Sequence, residues 1–236
     1  WIGIAVVLLA FFTLFVVYPL AQVLYKSVLA SNTSELTFTL DYFDKFFARK
    51  YYWSTLVNSF YVTVASTLLA SLIGLPMAYL LRSYKVPYSK YLNILIVISY
   101  LSPPFIGAYA WIQLFGRNGF WTKFLTESFG LHVPSIYGFT GIVLVFSLQS
   151  FPLIYMYVSG ALKNLDNSLN EAAESLGLNA FQRVIKIILP LVMPSLLAGA
   201  LLVFMRVFSD FGTPMLIGEG FRTFPVLIYT QFMGEV

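Results

Sequence analysis

Residues 167 to 190 read Asn167-Ser168-Leu169-Asn170-Glu171-Ala172-Ala173-Glu174-Ser175-Leu176-Gly177-Leu178-Asn179-Ala180-Phe181-Gln182-Arg183-Val184-Ile185-Lys186-Ile187-Ile188-Leu189-Pro190. Ser168 and Glu171 have the spacing of a capping box, in which the two side chains satisfy free amides at the start of a helix. Leu169, Ala172, Ala173 and Leu176 fall at i, i+3, i+4 and i+7, which predicts a short helix with one apolar face of small residues and with Glu171 and Glu174 largely away from it. Gly177 supplies the left-handed conformation that ends such a helix. A second helix is expected from Asn179, with Gln182 three residues on, an apolar face of Phe181, Val184, Ile185 and Ile188, and a stop or bend at Pro190. Two short capped helices joined by glycine make a compact projection. Its two readings are a shape that fits a groove on another protein and a re-entry element lying along its own bundle.

Outward from this segment the chain is apolar. Of its 236 residues 59% are hydrophobic and 10% charged, against roughly 25% charged in globular chains. A polytopic all-α membrane protein follows, and its 15 Gly and 11 Pro are tolerated where neighbouring helices re-satisfy disturbed backbone groups. Five stretches are long enough for the roughly 30 Å hydrocarbon core: Ile2–Tyr25, Val57–Leu81, Leu92–Phe115, Ile142–Leu162 and Met193–Ile217. The last run, Phe224–Tyr229, is too short to be another. The chain opens on Trp1 inside an apolar run, without the basic n-region and cleavage site of a signal peptide. A missing natural start is therefore the expectation, with residues 1–236 forming one domain; truncation at the other end is expected because families of this general size usually have six spans.

Arg82–Lys90 carries three basic residues and no acid, the mark of a cytoplasmic loop. That places Lys26–Thr55 and Gly116–Tyr137 outside and Lys163–Leu189 inside. Asp41–Arg49 reads as an interfacial or extramembrane helix. Trp121, Phe124, Leu125 and Phe129 form a helical stripe with Arg117, Lys123 and Glu127 outside it, either a membrane-surface helix or a docking surface. Ser59, Thr63, Ser66, Thr67 and Ser71 suggest close helix packing. Arg206 and Asp210 stand at i, i+4 inside the fifth predicted span; the readings are a pairing that holds the helix to its neighbours, a gate, and snorkelling near an interface.

Several chemistries are excluded. The chain has no Cys and a single His, His132, so disulfides, thiolate catalysis and His-rich metal sites are out. No HExxH, GxSxG or glycine-rich phosphate loop occurs. The net charge of +4 comes from scattered residues, which argues for membrane topology and against nucleic acid. An enzyme is not expected, and no cofactor in this chain.

The run Glu171-Ala172-Ala173, with Gly177, Phe181, Ile187, Leu189-Pro190 and Pro194, resembles the EAA motif of binding-protein-dependent ABC importer permeases of the MetI-like fold. Gly74–Arg82 and the flanking spans are also similar. Ser102–Ala108, Ile136–Phe139 and Asp210–Pro214 resemble the ferric-iron transport branch, the first half of its permeases above all. The resemblance implies a bacterial inner-membrane bundle with five of six spans visible, and a cytoplasmic coupling segment at 163–189 in which Glu171, Ala172, Ala173, Leu176 and Gly177 meet the ATPase. It implies as partners a cytoplasmic ABC ATPase dimer that binds ATP, an extracytoplasmic solute-binding protein, a second permease half or subunit, and membrane lipid. The implied solute is ferric iron, with polyamine, sulfate, thiamine or phosphonate as alternatives. A secondary transporter would instead need a midplane solute site and no ATPase.

Overall fold

The computed structural model describes residues 1–32, 35–84, 86–131, 134–165, 168, 173, 175 and 177–234, with the backbone alone at 30–32, 35, 36, 104 and 180. The chain divides into two compact units, Trp1–Ser54 and Thr55–Val236. In the first, α1 (Ile2–Ser27) has 26 residues, about 39 Å at 1.5 Å each. It buries none of its residues within the chain, as suits a helix that is apolar all round. An antiparallel hairpin follows, β1 (Leu29–Asn32) against β2 (Glu35–Phe38), with Leu29 opposite Phe38. This hairpin is absent from the sequence reading, because four-residue strands give too short an alternation to register. The expected helix is present as α2 (Asp41–Ala48). Asp41 and Asp44 in its first turn complement the positive end of the helix dipole, and the Asp41 amide donates to Thr39 Oγ1 at 3.1 Å.

The second unit is built on α3 (Lys50–Ser83), α7 (Phe139–Lys163) and α8 (Phe181–Ser209), which meet the predicted second, fourth and fifth spans. Helix α3 is inside-out by the standard of a soluble helix. Its buried stripe is Thr55, Ser59, Val62, Thr63, Ser66, Thr67, Ala70, Gly74 and Ala78, small or polar but for Val62, while Phe60, Tyr61, Leu68, Leu72 and Leu80 are exposed. Lipid is as apolar as leucine, so small side chains that let backbones approach decide which face turns inward. A Cβ on Gly74 would lie 2.8 Å from Ile154 Cβ and 2.9 Å from the Phe151 carbonyl. The Ser147 hydroxyl of α7 donates to the Ser66 carbonyl of α3 at 3.2 Å. Helix α7 is the core element, burying Ile142, Val145, Phe146, Ile154 and Val158, and α8 crosses it with Gly199 against Tyr157.

Two predicted spans are broken. Leu92–Phe115 is two helices, α4 (Ser89–Tyr100) and α5 (Pro104–Phe115), and the chain turns by 110° at the break. Pro103 and Pro104 supply no amides there, so helix cannot continue through them. Met193–Ile217 is likewise discontinuous: α8 ends at Ser209 and a separate short helix, α9 (Gly212–Ile217), follows. Pro190, expected to close or bend the second inner helix, lies within continuous helix; a π-helical turn at Val184–Ile188 directly precedes it and absorbs the irregularity. The surface helix α6 (Phe120–Phe129) forms as expected and ends on Gly130 at φ 64°. Helix α10 (Phe224–Gly234) runs up to the last described residue.

Candidate functional site at the inner segment, the helix breaks and the outer rim

Of the five coupling candidates, Glu171, Ala172 and Leu176 lie outside the described residues. Ala173 is 2% exposed, so it faces its own chain. Gly177 has φ 78°, and the Leu178 amide donates to the Ala173 carbonyl at 3.1 Å. That six-to-one bond around a left-handed glycine is a Schellman ending. Nothing lies within 4 Å of a Cβ built on Gly177, so the glycine is needed for its backbone angle and not for space.

The next helix opens as its sequence predicts. The Gln182 amide donates to Asn179 Oδ1 at 2.8 Å, and the Asn179 amide to Gln182 Oε1 at 3.2 Å, a reciprocal capping box. Its predicted apolar face splits. Ile188 is buried, while Phe181 and Ile185 are exposed, because the π-helical turn shifts the residues beyond it around the axis. Val184 and Ile188 instead line an apolar cavity of about 130 Å³ with Leu75, Tyr79 and Val158.

Arg206 and Asp210 do not share one helix, since the chain leaves α8 at Asp210 with ψ 125°. The Asp210 carboxylate takes the amides of Gly212 and Thr213, the latter at 3.1 Å, and so caps α9. It still lies within the electrostatic reach of Arg206. The Arg206 guanidinium sits 4.6 Å over the ring of Tyr100, the last residue of α4. The two breaks therefore meet. Phe105 packs edge-on against Phe211 at 5.3 Å and Phe211 stacks on Tyr229 at 4.9 Å. A Cβ on Gly212 would lie 3.2 Å from the Phe105 ring. Beside them, Gln149 Nε2 and Thr213 Oγ1 are buried with no hydrogen-bond partner among the described residues, an expensive arrangement in an apolar interior.

A third feature lies at the end of the bundle where α3 and α7 begin. The Asn58 side-chain Nδ2 donates to the Arg222 carbonyl at 3.1 Å, and the Phe224 backbone amide to Ser59 Oγ at 2.7 Å. Here Arg117 pairs with Glu219, and its guanidinium lies 5.1 Å over the Tyr137 ring. Among the described residues this is the only ion pair. Sequence reasoning missed it, since residues 102 positions apart leave no periodic signal. No group of three potential metal ligands occurs among the described residues.

Comparisons with known proteins agree with this architecture. The chain is 27% identical over 233 residues to a putative ferric transport system permease protein, FbpB 1, of Haemophilus influenzae, covering 98% of this chain and 36% of the relative. It thus spans about a third of the length of the ferric permeases it matches. It is 31% identical to the sulfate transport system permease protein CysT of Escherichia coli, over 70% of this chain and 62% of the relative. In fold it resembles a chain of the bacterial alginate ABC transporter crystallised with an alginate pentasaccharide-bound periplasmic protein, at a TM-score of 0.78 and 16% identity, covering 99% of this chain and 83% of that one. Residues 70–235 match the family described as binding-protein-dependent transport system inner membrane component. That match takes in more than half of the chain, which therefore belongs to this family.

Proposed function

We propose that the chain forms most of one transmembrane half of an ATP-powered importer, in which the inner segment 163–189 couples the bundle to a separate cytoplasmic ATPase dimer. The observation that carries this reading is the doubly capped inner segment. A Schellman ending at Gly177 runs directly into a capping box at Asn179 and Gln182, so a short element is held at a fixed angle. Membership of an inner-membrane family and several helices long and apolar enough to span are those of a multi-pass bacterial inner-membrane protein. Glu171, Ala172, Leu176 and Gly177 are the contact residues in this reading. Ala173, being buried, anchors the element to its own bundle.

The junction of the two helix breaks is the place for the solute path. Irregular backbone at membrane depth is tolerated where it is buried in protein or lines a cavity, and the buried polar atoms of Gln149 and Thr213 have no partner among the described residues. Arg206 and Asp210 act there as positioning groups, one on Tyr100 and one on the start of α9. A solute-binding protein delivers solute to the outer face, and a second permease half completes the path.

Ferric iron is the solute we favour, from the ferric permeases matched over 98% of the chain. An oxyanion is the second reading, from the higher identity to a sulfate permease. The test is copurification of the full-length permease with its ATPase and binding protein, followed by ATP hydrolysis in proteoliposomes with each solute. Stimulation by ferric iron supports the first solute, and stimulation by sulfate alone replaces it. Solute uptake that proceeds without any ATPase overturns the importer reading.

A further inference from the structure

At the rim described above is a recess of about 330 Å³ lined by Tyr109, Gln113, Arg117, Asn118 and Tyr137, with Ile112 and Gly116. Its polar lining is rich in donors. Arginine, glutamine, asparagine and two tyrosines supply N–H and O–H groups, and no carboxylate is among the described lining residues. The Arg117 guanidinium lies 5.1 Å from the centroid of the Tyr137 ring, and a guanidinium presents parallel donors that match an oxyanion. The one acid that reaches this arginine, Glu219, comes from the loop between α9 and α10.

Three facts make Glu219 a replaceable occupant. The pair is exposed, with side-chain accessibilities of 73% for Arg117 and 45% for Glu219, and such pairs contribute at most about 1 kcal/mol. Glu219 has φ 48°, a left-handed conformation that an L residue enters at a cost of about 1 to 2 kcal/mol. Gly220 follows it with nothing within 4 Å of a built Cβ, so the chain beside Glu219 has room to adjust.

We propose that this recess is a binding site for a small multivalent oxyanion, carboxylate or tetrahedral, and that the Glu219 carboxylate holds the place of that anion on Arg117 when the recess is empty. Binding transfers Arg117 from Glu219 to the anion and releases the Glu219 side chain at the rim, while the backbone bonds of Gly218, Phe221 and Arg222 hold the rest of the α9–α10 loop. The inference rests on the importer reading only for the side of the membrane from which the anion arrives.

The test is isothermal titration calorimetry of sodium sulfate and sodium citrate into the full-length permease in lipid nanodiscs, at constant ionic strength with chloride as the balancing anion and without ATP. Saturable binding of at least one anion is expected. Glu219→Gln should tighten it about threefold, the worth of an exposed pair, and Arg117→Gln should weaken it more than about tenfold, the worth of a charged hydrogen bond. Should Arg117→Gln fail to fold, Arg117→Lys keeps the charge and loses the parallel donors, and a clear weakening is expected there too. No saturable heat with wild type and Glu219→Gln alike, or affinity indifferent to position 117, overturns the site. Solute-stimulated ATP hydrolysis without anion binding refutes this inference alone. Anion binding in a permease whose transport needs no ATPase refutes the importer reading alone.

Discussion

The contact of α3 with α7 and the junction of α5 with α9 lie in one unit and use glycine in opposite ways. At the first, Gly74 faces the branched Cβ of Ile154 and a backbone carbonyl, neither of which can swing aside. Beside the second, a Cβ on Gly107 of α5 would meet the amide end of Gln149 on α7, which can. The first contact has uninterrupted helix on both sides, with Ser147 bonded across it. The second is made of helix ends, aromatic rings and buried polar atoms without partners among the described residues. A membrane bundle that must open needs both: a sealed contact to carry force, and an interrupted one whose side chains have alternatives.

The sharpest way to break this contrast is to overpack both sides. Gly74→Val should destabilise the bundle by about 2 kcal/mol or more, as expected for bulk forced into a filled contact, measured by denaturant unfolding in mixed micelles. Gly107→Ala should cost clearly less, because only the end of Gln149 has to move. Equal costs would erase the distinction. Asp210→Ala removes the cap of α9 and should cost about 1 kcal/mol, with faster hydrogen exchange at the Thr213 amide, while Asp210→Asn should retain most of the protection.

Smaller effects are expected from the cations. A double-mutant cycle of Arg206→Gln and Tyr100→Leu should give a coupling of about 1 kcal/mol, the range of a partly desolvated cation–π contact. A cycle at Arg117 and Glu219 should give less than about 1 kcal/mol and decline as salt is raised. A salt-insensitive coupling at Arg117 would mean that the outer rim is sealed as tightly as the α3–α7 contact.

What the sequence disclosed was local or averaged over a long window. Helix ends at Gly177, Asn179 and Gly130 were legible at the first two, because caps are set by a few neighbouring residues. The spans were legible because hydropathy over some twenty residues reports burial in lipid. The same averaging drew both spans straight through their breaks, although Pro103-Pro104 marks a place where a helix can bend or be interrupted. Pro103-Pro104 and Asp210-Phe211-Gly212 were in plain view, yet an apolar window is indifferent to a turn of the backbone. Arg206 and Asp210 were read as helical neighbours for that reason, whereas Asp210 caps a new helix and Arg206 lies on Tyr100. The apolar face from Phe181 to Ile188 was drawn with a period of 3.6, and the π-helical turn changes the period midway. The Arg117–Glu219 pair depends on which segments meet in space, which no spacing in one sequence encodes, and the β1–β2 hairpin is local but its four-residue strands are too short to show a period.

The proposed coupling of the inner segment to an ATPase rests most directly on Gly177, whose φ of 78° ends one helix and aims the next. A Cβ there meets no neighbour, so Gly177→Val acts through the backbone angle, which a β-branched residue does not tolerate. The decisive measurement is solute transported per ATP hydrolysed, in proteoliposomes holding the full-length permease, its ATPase and its binding protein. Gly177→Val should lower that ratio steeply while hydrolysis persists, with Gly177→Asn closer to wild type. A wild-type ratio in the valine variant would contradict the coupling role.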